Sequence, residues 1–337
     1  MGGESACAGG GGGVGELRHV DNDTVQALRS KLLDNTLPLA ARYRALYALR
    51  SSDGSSAVQA LKTAMDPKAV PSALLRHDVA FCLGQRRDAA AIATLVEVLG
   101  DSAEHPMVRH EAGEALGAIC TEPCLEPLRA HLEDPCQEVA ETCQLAVQRV
   151  EYFAERNGQA GADAATDPSP YASVDPTPAA PSSVPVDELR RMLLDEKEKM
   201  FERYRALFAL RNRGGKEACQ ALADAFGSSS ALLKHEIAYV LGQMLDSSTT
   251  TVLVKVLQDH NEAAMVRHEA AEALGAIAEP WTYKMLKEYS QDSDPIVADS
   301  CIVALDMLAH EESGTFEYAD TGADTSIEHG REVQVAH

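Results

Sequence analysis

The stretch Val108-Arg109-His110-Glu111-Ala112-Gly113-Glu114-Ala115-Leu116-Gly117-Ala118-Ile119 returns as Val266-Arg267-His268-Glu269-Ala270-Ala271-Glu272-Ala273-Leu274-Gly275-Ala276-Ile277, with only Gly113 and Ala271 differing. The offset is 268 − 110 = 158 residues. Upstream, Leu74-Leu75-Arg76-His77-Asp78 answers Leu232-Leu233-Lys234-His235-Glu236, again at 235 − 77 = 158. The chain is an internal duplication. Within each half the motif recurs after 110 − 77 = 33 and 268 − 235 = 33 residues. That period holds two helices of about 12 residues plus turns, the unit from which an α-solenoid is stacked.

Apolar periodicity and Gly, Pro and Asp punctuation give four helix pairs per half. Their second helices are predicted near 39–50, 71–86, 105–119 and 135–152, then 200–211, 229–243, 262–278 and 294–310. Neither the T-P-L-H of ankyrin repeats nor the W-x-x-L-G of tetratricopeptide repeats is present, and a short HEAT-like repeat fits best. The predicted fold is all-α: a HEAT-like α-solenoid of two duplicated lobes, 21–156 and 187–311. Residues 1–20, with the run Gly9 to Gly13, read as a flexible tail. Residues 157–186, rich in Pro, Ala, Gly and Ser, read as a semi-extended linker, and 312–337 as an acidic tail.

Composition narrows the function. The chain has 337 residues, 30 Lys+Arg against 52 Asp+Glu and a net charge of −22, which disfavours a nucleic-acid binder. No apolar run approaches the roughly 18 to 20 residues of a membrane span. Eight scattered cysteines form no C-x-x-C pair, and a reduced, cytoplasmic setting is expected.

Four dipeptides occupy equivalent places on second helices: His77-Asp78, His110-Glu111, His235-Glu236 and His268-Glu269. Each His precedes a glycine by seven residues, so the four share height and phase on their helices. Stacked helix axes lie roughly 8 to 10 Å apart, and imidazole and carboxylate from neighbours can meet on one ion. Polar residues can also simply begin a helix, but the outer repeats argue against that. At the same positions they carry Tyr43-Arg44, Glu141-Thr142, Tyr204-Arg205 and Asp299-Ser300, so the fold does not require His plus acid there. Four imidazoles and four carboxylates without a thiolate favour iron or manganese over structural zinc. Four negative charges balance two divalent ions, and open positions on such a pair suit oxygen activation or hydrolysis.

At these residues, and in the R-Y-R-A-L-[YF]-A-L-R stretches at 42–50 and 203–211, the sequence resembles the deoxyhypusine hydroxylases. The resemblance covers both helical halves. It implies a di-iron monooxygenase that uses two Fe2+ ions and dioxygen to hydroxylate the deoxyhypusine side chain of translation initiation factor five A, giving hypusine. It further implies that His77, His110 and Glu111 hold one iron and His235, His268 and Glu269 the other. Asp78 and Glu236 are left to bind the substrate amines or to serve as additional ligands. Asp78 departs from the family pattern, where Glu is usual. The rival readings are a non-catalytic protein-binding scaffold and a di-metal hydrolase; the outer repeats' lack of the motif weighs against the scaffold.

Other residues receive plainer roles. Glu114 and Glu272 follow the motif histidines by four residues, nearly on the same face, and are candidates for supporting the ligands. The glycines Gly84, Gly117, Gly242 and Gly275 are expected to permit close helix packing. Tyr43, Tyr204 and Trp281 are expected to pack, and the remaining histidines to lie at the surface.

Overall fold

The computed structural model describes residues 17–156 and 169–313. The N-terminal lobe pairs α1 (Asn22–Leu33) with α2 (Leu39–Ser51), α3 (Gly54–Ala64) with α4 (Ala73–Arg86), α5 (Ile92–Gly100) with α6 (Pro106–Ile119), and α7 (Leu125–Arg129) with α8 (Gln137–Glu155). The C-terminal lobe repeats this with α9 (Val186–Leu194) and α10 (Met200–Arg213), α11 (Gly215–Asp224) and α12 (Ala231–Met244), α13 (Thr250–Gln258) and α14 (Ala264–Ile277), α15 (Tyr283–Tyr289) and α16 (Pro295–Ser313). The second helices fall where the periodicity predicts them. They are buried along most of their length, whereas the first helices bury only one face: α4 buries Leu74 through Gln85, and α5 buries Leu95 and Leu99.

Two sequence features set the stacking. A Cβ added to Gly84 would come within 2.7 Å of Ala115 Cα, one on Gly117 within 2.8 Å of Ala146 Cβ, and one on Gly275 within 2.6 Å of Ala304 Cα. Each glycine thus lets its helix touch the next second helix backbone to side chain, the packing role expected of it. The basic residue before each motif histidine fixes the neighbouring units. Arg109 Nε donates to Leu99 O and Arg267 Nε to Leu257 O, both at 2.9 Å, which caps the preceding helix. Their guanidinium groups then reach Asp134 and Asp292 in the following unit.

The two lobes meet twice. Helix α8 packs on α10 and α12, and α16 packs on α2 and α4, where Arg44 holds Asp306 at 3.1 and 2.7 Å. This closure turns the motif faces of both lobes toward one another.

Two segment assignments are refined. Residues 17–20, read as the end of a flexible tail, are tied to the α2–α3 turn: Arg18 N–H donates to Ser51 O and Asp53 N–H to Arg18 O, each at 2.8 Å. The second part of the linker is docked, with Thr177 and Ala180 buried and Ala180 N–H donating to Arg205 O at 2.9 Å. The other parts of the tails and linker, 1–16, 157–168 and 314–337, lie outside the described residues.

Candidate metal centre

Helices α4, α6, α12 and α14 each deliver one histidine to a common point. His77 and His110 ring centroids are 5.4 Å apart, His235 and His268 5.2 Å, and across the lobes His77 and His268 lie at 5.4 Å and His110 and His235 at 5.5 Å. All four are buried, His110 and His268 completely. The Nε2 atoms of all four are buried without a hydrogen-bond partner among the described residues. Four orphaned imidazole nitrogens would be costly in a protein interior; as metal ligands they are satisfied. The carboxylates join them, with Glu111 Oε2 3.3 Å from His77 Nε2 and Glu269 Oε2 3.4 Å from His235 Nε2 and 3.9 Å from His268 Nε2.

The ligand atoms of His77, His110 and Glu111 lie within 4.8 Å of one another, as do those of His77, His235 and His268. The first expected ligand set is thus brought together as a group; in the second group His77 takes the place expected of Glu269, which approaches His235 and His268 separately, so the histidines form one continuous cluster across the lobe boundary. Its donors are nitrogen and oxygen; no cysteine lines the cleft above it. That set fits two divalent first-row metals.

The other ring nitrogens are used to aim these ligands. His77 Nδ1 contacts Asp78 Oδ1 at 2.8 Å, His110 Nδ1 lies 3.5 Å from Thr142 Oγ1, and His268 Nδ1 lies 3.4 Å from Ser300 Oγ. Ser300 also donates to Glu272 Oε1 at 3.2 Å. Such outer contacts fix ring orientation and tautomer. Burial and the neighbouring imidazoles push the pKa of His110 and His268 well below the usual value, leaving them neutral as ligands must be. For His77 burial acts in the same sense, but Asp78 and Glu111 outweigh it and raise its pKa well above normal.

A cleft opens above the cluster. Asp78, Glu111, Glu114, Asp175, Glu236, Glu269 and Glu272 line it with His77, His235, Phe81 and Tyr239, and no lysine or arginine lines it. Burial first, then mutual repulsion, raises the pKa of Glu114, Glu236 and Glu272 well above the carboxylate range. So many carboxyl groups, with no basic side chain lining the cleft, suit cationic occupants, which would favour the ionised form of each.

The chain matches the family model for HEAT repeats over residues 68–148 and 225–306. It is 50% identical over 301 residues to the deoxyhypusine hydroxylase of Gallus gallus, covering 89% of this chain and 97% of that protein. The Homo sapiens deoxyhypusine hydroxylase is 48% identical over 301 residues, covering 89% and 96%. The chain belongs to the deoxyhypusine hydroxylase family. The solved structure of human deoxyhypusine hydroxylase in complex with glycerol matches it with a TM-score of 0.80 at 48% identity, over 86% of this chain and 96% of that one.

For a deoxyhypusine hydroxylase family member, the His-acid motifs account for the cluster, and Asp78, Glu236, Glu114 and Glu272 all reach the cleft. Glu272 approaches His268 Nδ1 at 3.6 Å. Two features escaped sequence reading. Thr142 and Ser300, noted only for not being His-acid pairs, meet the motif histidines one repeat earlier. Val174, Asp175 and Pro176, inside the presumed linker, form part of the cleft wall. The position of Thr142 and Ser300 at the acid place of the motif register was the available signal; the linker offered none.

Proposed function

We propose that this protein is a deoxyhypusine hydroxylase that inserts one atom of dioxygen into a C–H bond of the deoxyhypusine side chain of translation initiation factor five A. The observation that carries the reading is the set of four buried, unpartnered Nε2 atoms beneath an all-acidic cleft, on a chain half identical to enzymes of that name. His77, His110 and Glu111 would hold one iron and His235, His268 and Glu269 the other. When bound, the iron pair supplies the binding and reduction of dioxygen, whose second oxygen leaves as water with two electrons and two protons from an external reductant.

The chain's own residues do the remaining work. Asp78, Thr142 and Ser300 keep the imidazoles aimed. Phe81 and Tyr239, with ring centroids 6.1 Å apart, line the passage and keep bulk water from the reacting carbon. Glu236, buried and facing the cleft, accepts from a substrate ammonium and fixes which carbon lies over the metals. The charge of −22 attracts a basic partner over long range. A cytoplasmic location goes with this reading, and no helix among the described residues is long and apolar enough to cross a membrane.

The test is to incubate iron-loaded protein, a reductant and the deoxyhypusine-bearing factor with and without dioxygen, then look for hypusine after acid hydrolysis. Hypusine only with dioxygen is expected. No product, or product formed equally without dioxygen, refutes the assignment, the latter in favour of hydrolysis.

A further inference from the structure

The cleft is built by duplication, yet one of its walls is not. Phe81 and Tyr239, 239 − 81 = 158 residues apart, face each other across it, whereas Val174, Asp175 and Pro176 come from the single-copy segment between the lobes. This strap is held from both sides. Val174 N–H donates to Gln85 Oε1 at 2.8 Å, and Gln85 Nε2 donates back to Val174 O at 3.2 Å. From the other lobe, the fully buried Arg211 donates to both oxygens of Asp175, at 2.9 and 2.6 Å. Gln243, the duplicate of Gln85 at 243 − 85 = 158, donates to Ser173 Oγ at 3.2 Å. Arg50 ends the same nine-residue stretch in α2 that Arg211 ends in α10, but its Nε and Nη1 are buried with no hydrogen-bond partner among the described residues. The charged anchor of the strap is thus one-sided, from Arg211.

We propose that Asp175 is a substrate-binding carboxylate that works with Glu236: the two flank a subsite for one ammonium group of the deoxyhypusine side chain, and Arg211 and Gln85 position the strap that carries it. This rests on the hydroxylase reading above. An ionised carboxylate offers about four acceptor positions. Asp175 uses three of them, for Ser173 Oγ at 2.6 Å and Arg211 Nη1 on Oδ1 and for Arg211 Nη2 on Oδ2. One acceptor position on Oδ2 remains, on a side chain 14% exposed at the cleft. Arg211 matches the charge of Asp175, so Glu236 is the carboxylate left without a counter-charge. A substrate ammonium carries at least two N–H donors, one for each oxygen. Because the strap is present once and its carboxylate is anchored by Arg211 of the lobe that carries Glu236, it adds one carboxylate on the side of Glu236, with no duplicate beside Asp78.

The experiment compares wild type, Asp175→Asn, Asp175→Glu and Gln85→Ala as full-length, iron-loaded proteins. It measures iron content, kcat and KM, and the Kd for the factor with and without its deoxyhypusine modification. Asp175→Asn should raise Kd and KM for the modified factor by about tenfold or more, with the effect on affinity rather than on kcat or iron content. Asp175→Glu should recover part of it. Gln85→Ala, which loosens the strap on one side while keeping both carboxylates, should weaken the same affinity by a smaller factor and serves if Asp175→Asn does not fold. Unchanged Kd for the modified factor in the folded variants overturns the proposal. So does an equal loss for modified and unmodified factor, which would make Asp175 an anchor alone. Failure of wild type itself to hydroxylate would instead overturn the functional reading.

Discussion

Ser230 Oγ donates to Glu141 Oε2 across the lobe boundary at 2.7 Å, and Ser72 Oγ repeats the contact to Asp299 Oδ2 at 2.9 Å from the other side. The pairs are duplicates, at 230 − 72 = 158 and 299 − 141 = 158. Both serines also N-cap a motif helix, accepting from Leu233 and Leu75 N–H. One hydroxyl therefore starts the helix that carries a ligand histidine and ties that helix to the last helix of the opposite lobe. Ser72→Ala and Ser230→Ala should each cost about 1 to 2 kcal/mol. The double variant should be additive within about 0.5 kcal/mol, because the sites share no partner. Denaturant titration of the three variants measures this, and a free substitution at either site would show that the contact contributes nothing.

Metal binding should fail before folding does. His110→Ala or His268→Ala removes a ligand, while the gain in helix propensity stays below about 1 kcal/mol; helicity should persist and iron content should fall. Thr142→Val should lower iron affinity by about ten- to a hundredfold by freeing the His110 ring, and Thr142→Ser should not. Full occupancy in both histidine variants is the result that rules out this centre.

Packing makes a sharper distinction among the four glycines than their shared Leu-Gly context suggests. At Gly275 an added Cβ would meet Ala304 Cα at 2.6 Å, at Gly242 the nearest atoms are 3.1 Å away. Gly275→Ala should destabilise by about 1 to 3 kcal/mol and move His268 away from Ser300, lowering iron retention as well. Gly242→Ala should be milder on both measures. Equal thermal shifts in the two variants would contradict the geometry.

The duplication made the solenoid legible because its period survives in whole phrases such as V-R-H-E-A, and the ligand histidines stood out by occurring only in the inner repeats. The sense of the outer repeats was legible only in part. Their lack of His-acid pairs showed that the motif is functional, but Glu141 and Asp299 turn out to bind the opposite lobe, and Thr142 and Ser300 to support ligands. These roles depend on which helix lies beside which after closure, a long-range relationship that local pattern does not carry. Asp175 was hidden for another reason: its segment lacks the apolar bulk to fold by itself and is ordered by a buried arginine 211 − 175 = 36 residues further on.

Each motif helix ends with a residue in the left-handed region, Arg87, Cys120, Leu245 and Ala278, at φ between 52° and 56°. None is glycine. For Ala278 the conformation costs about 1 to 2 kcal/mol, and the extra unfolded-chain entropy of a glycine returns about 0.5 to 1. Ala278→Gly should accordingly stabilise the protein by about 0.5 to 1 kcal/mol without touching the metal centre. Calorimetry showing a lower melting temperature would mean that the Ala278 methyl packs more than its conformation costs.

Asp78 and Glu236 are duplicates with unequal duties. Asp78 commits Oδ1 to His77 Nδ1 at 2.8 Å, leaving Oδ2 buried and unpartnered, so it stands between metal and substrate. Glu236 faces the cleft beside the strap. Glu236→Gln should therefore keep its iron and lose affinity for the deoxyhypusine-bearing factor, by about 2 to 5 kcal/mol if the ammonium is left buried and unpaired. Asp78→Ala should lose part of both, because the His77 ring is released as the carboxylate disappears. Asp78→Glu gives this position the residue of its duplicate, Glu236, and should remain active, its extra methylene shifting the carboxylate along the same cleft wall. Iron content and factor binding measured side by side on the three variants separate these outcomes. Outright loss of iron in Glu236→Gln would make Glu236 a ligand and cancel the division of roles, whereas full iron retention in Asp78→Ala would show that the His77 contact does not help to hold the metal.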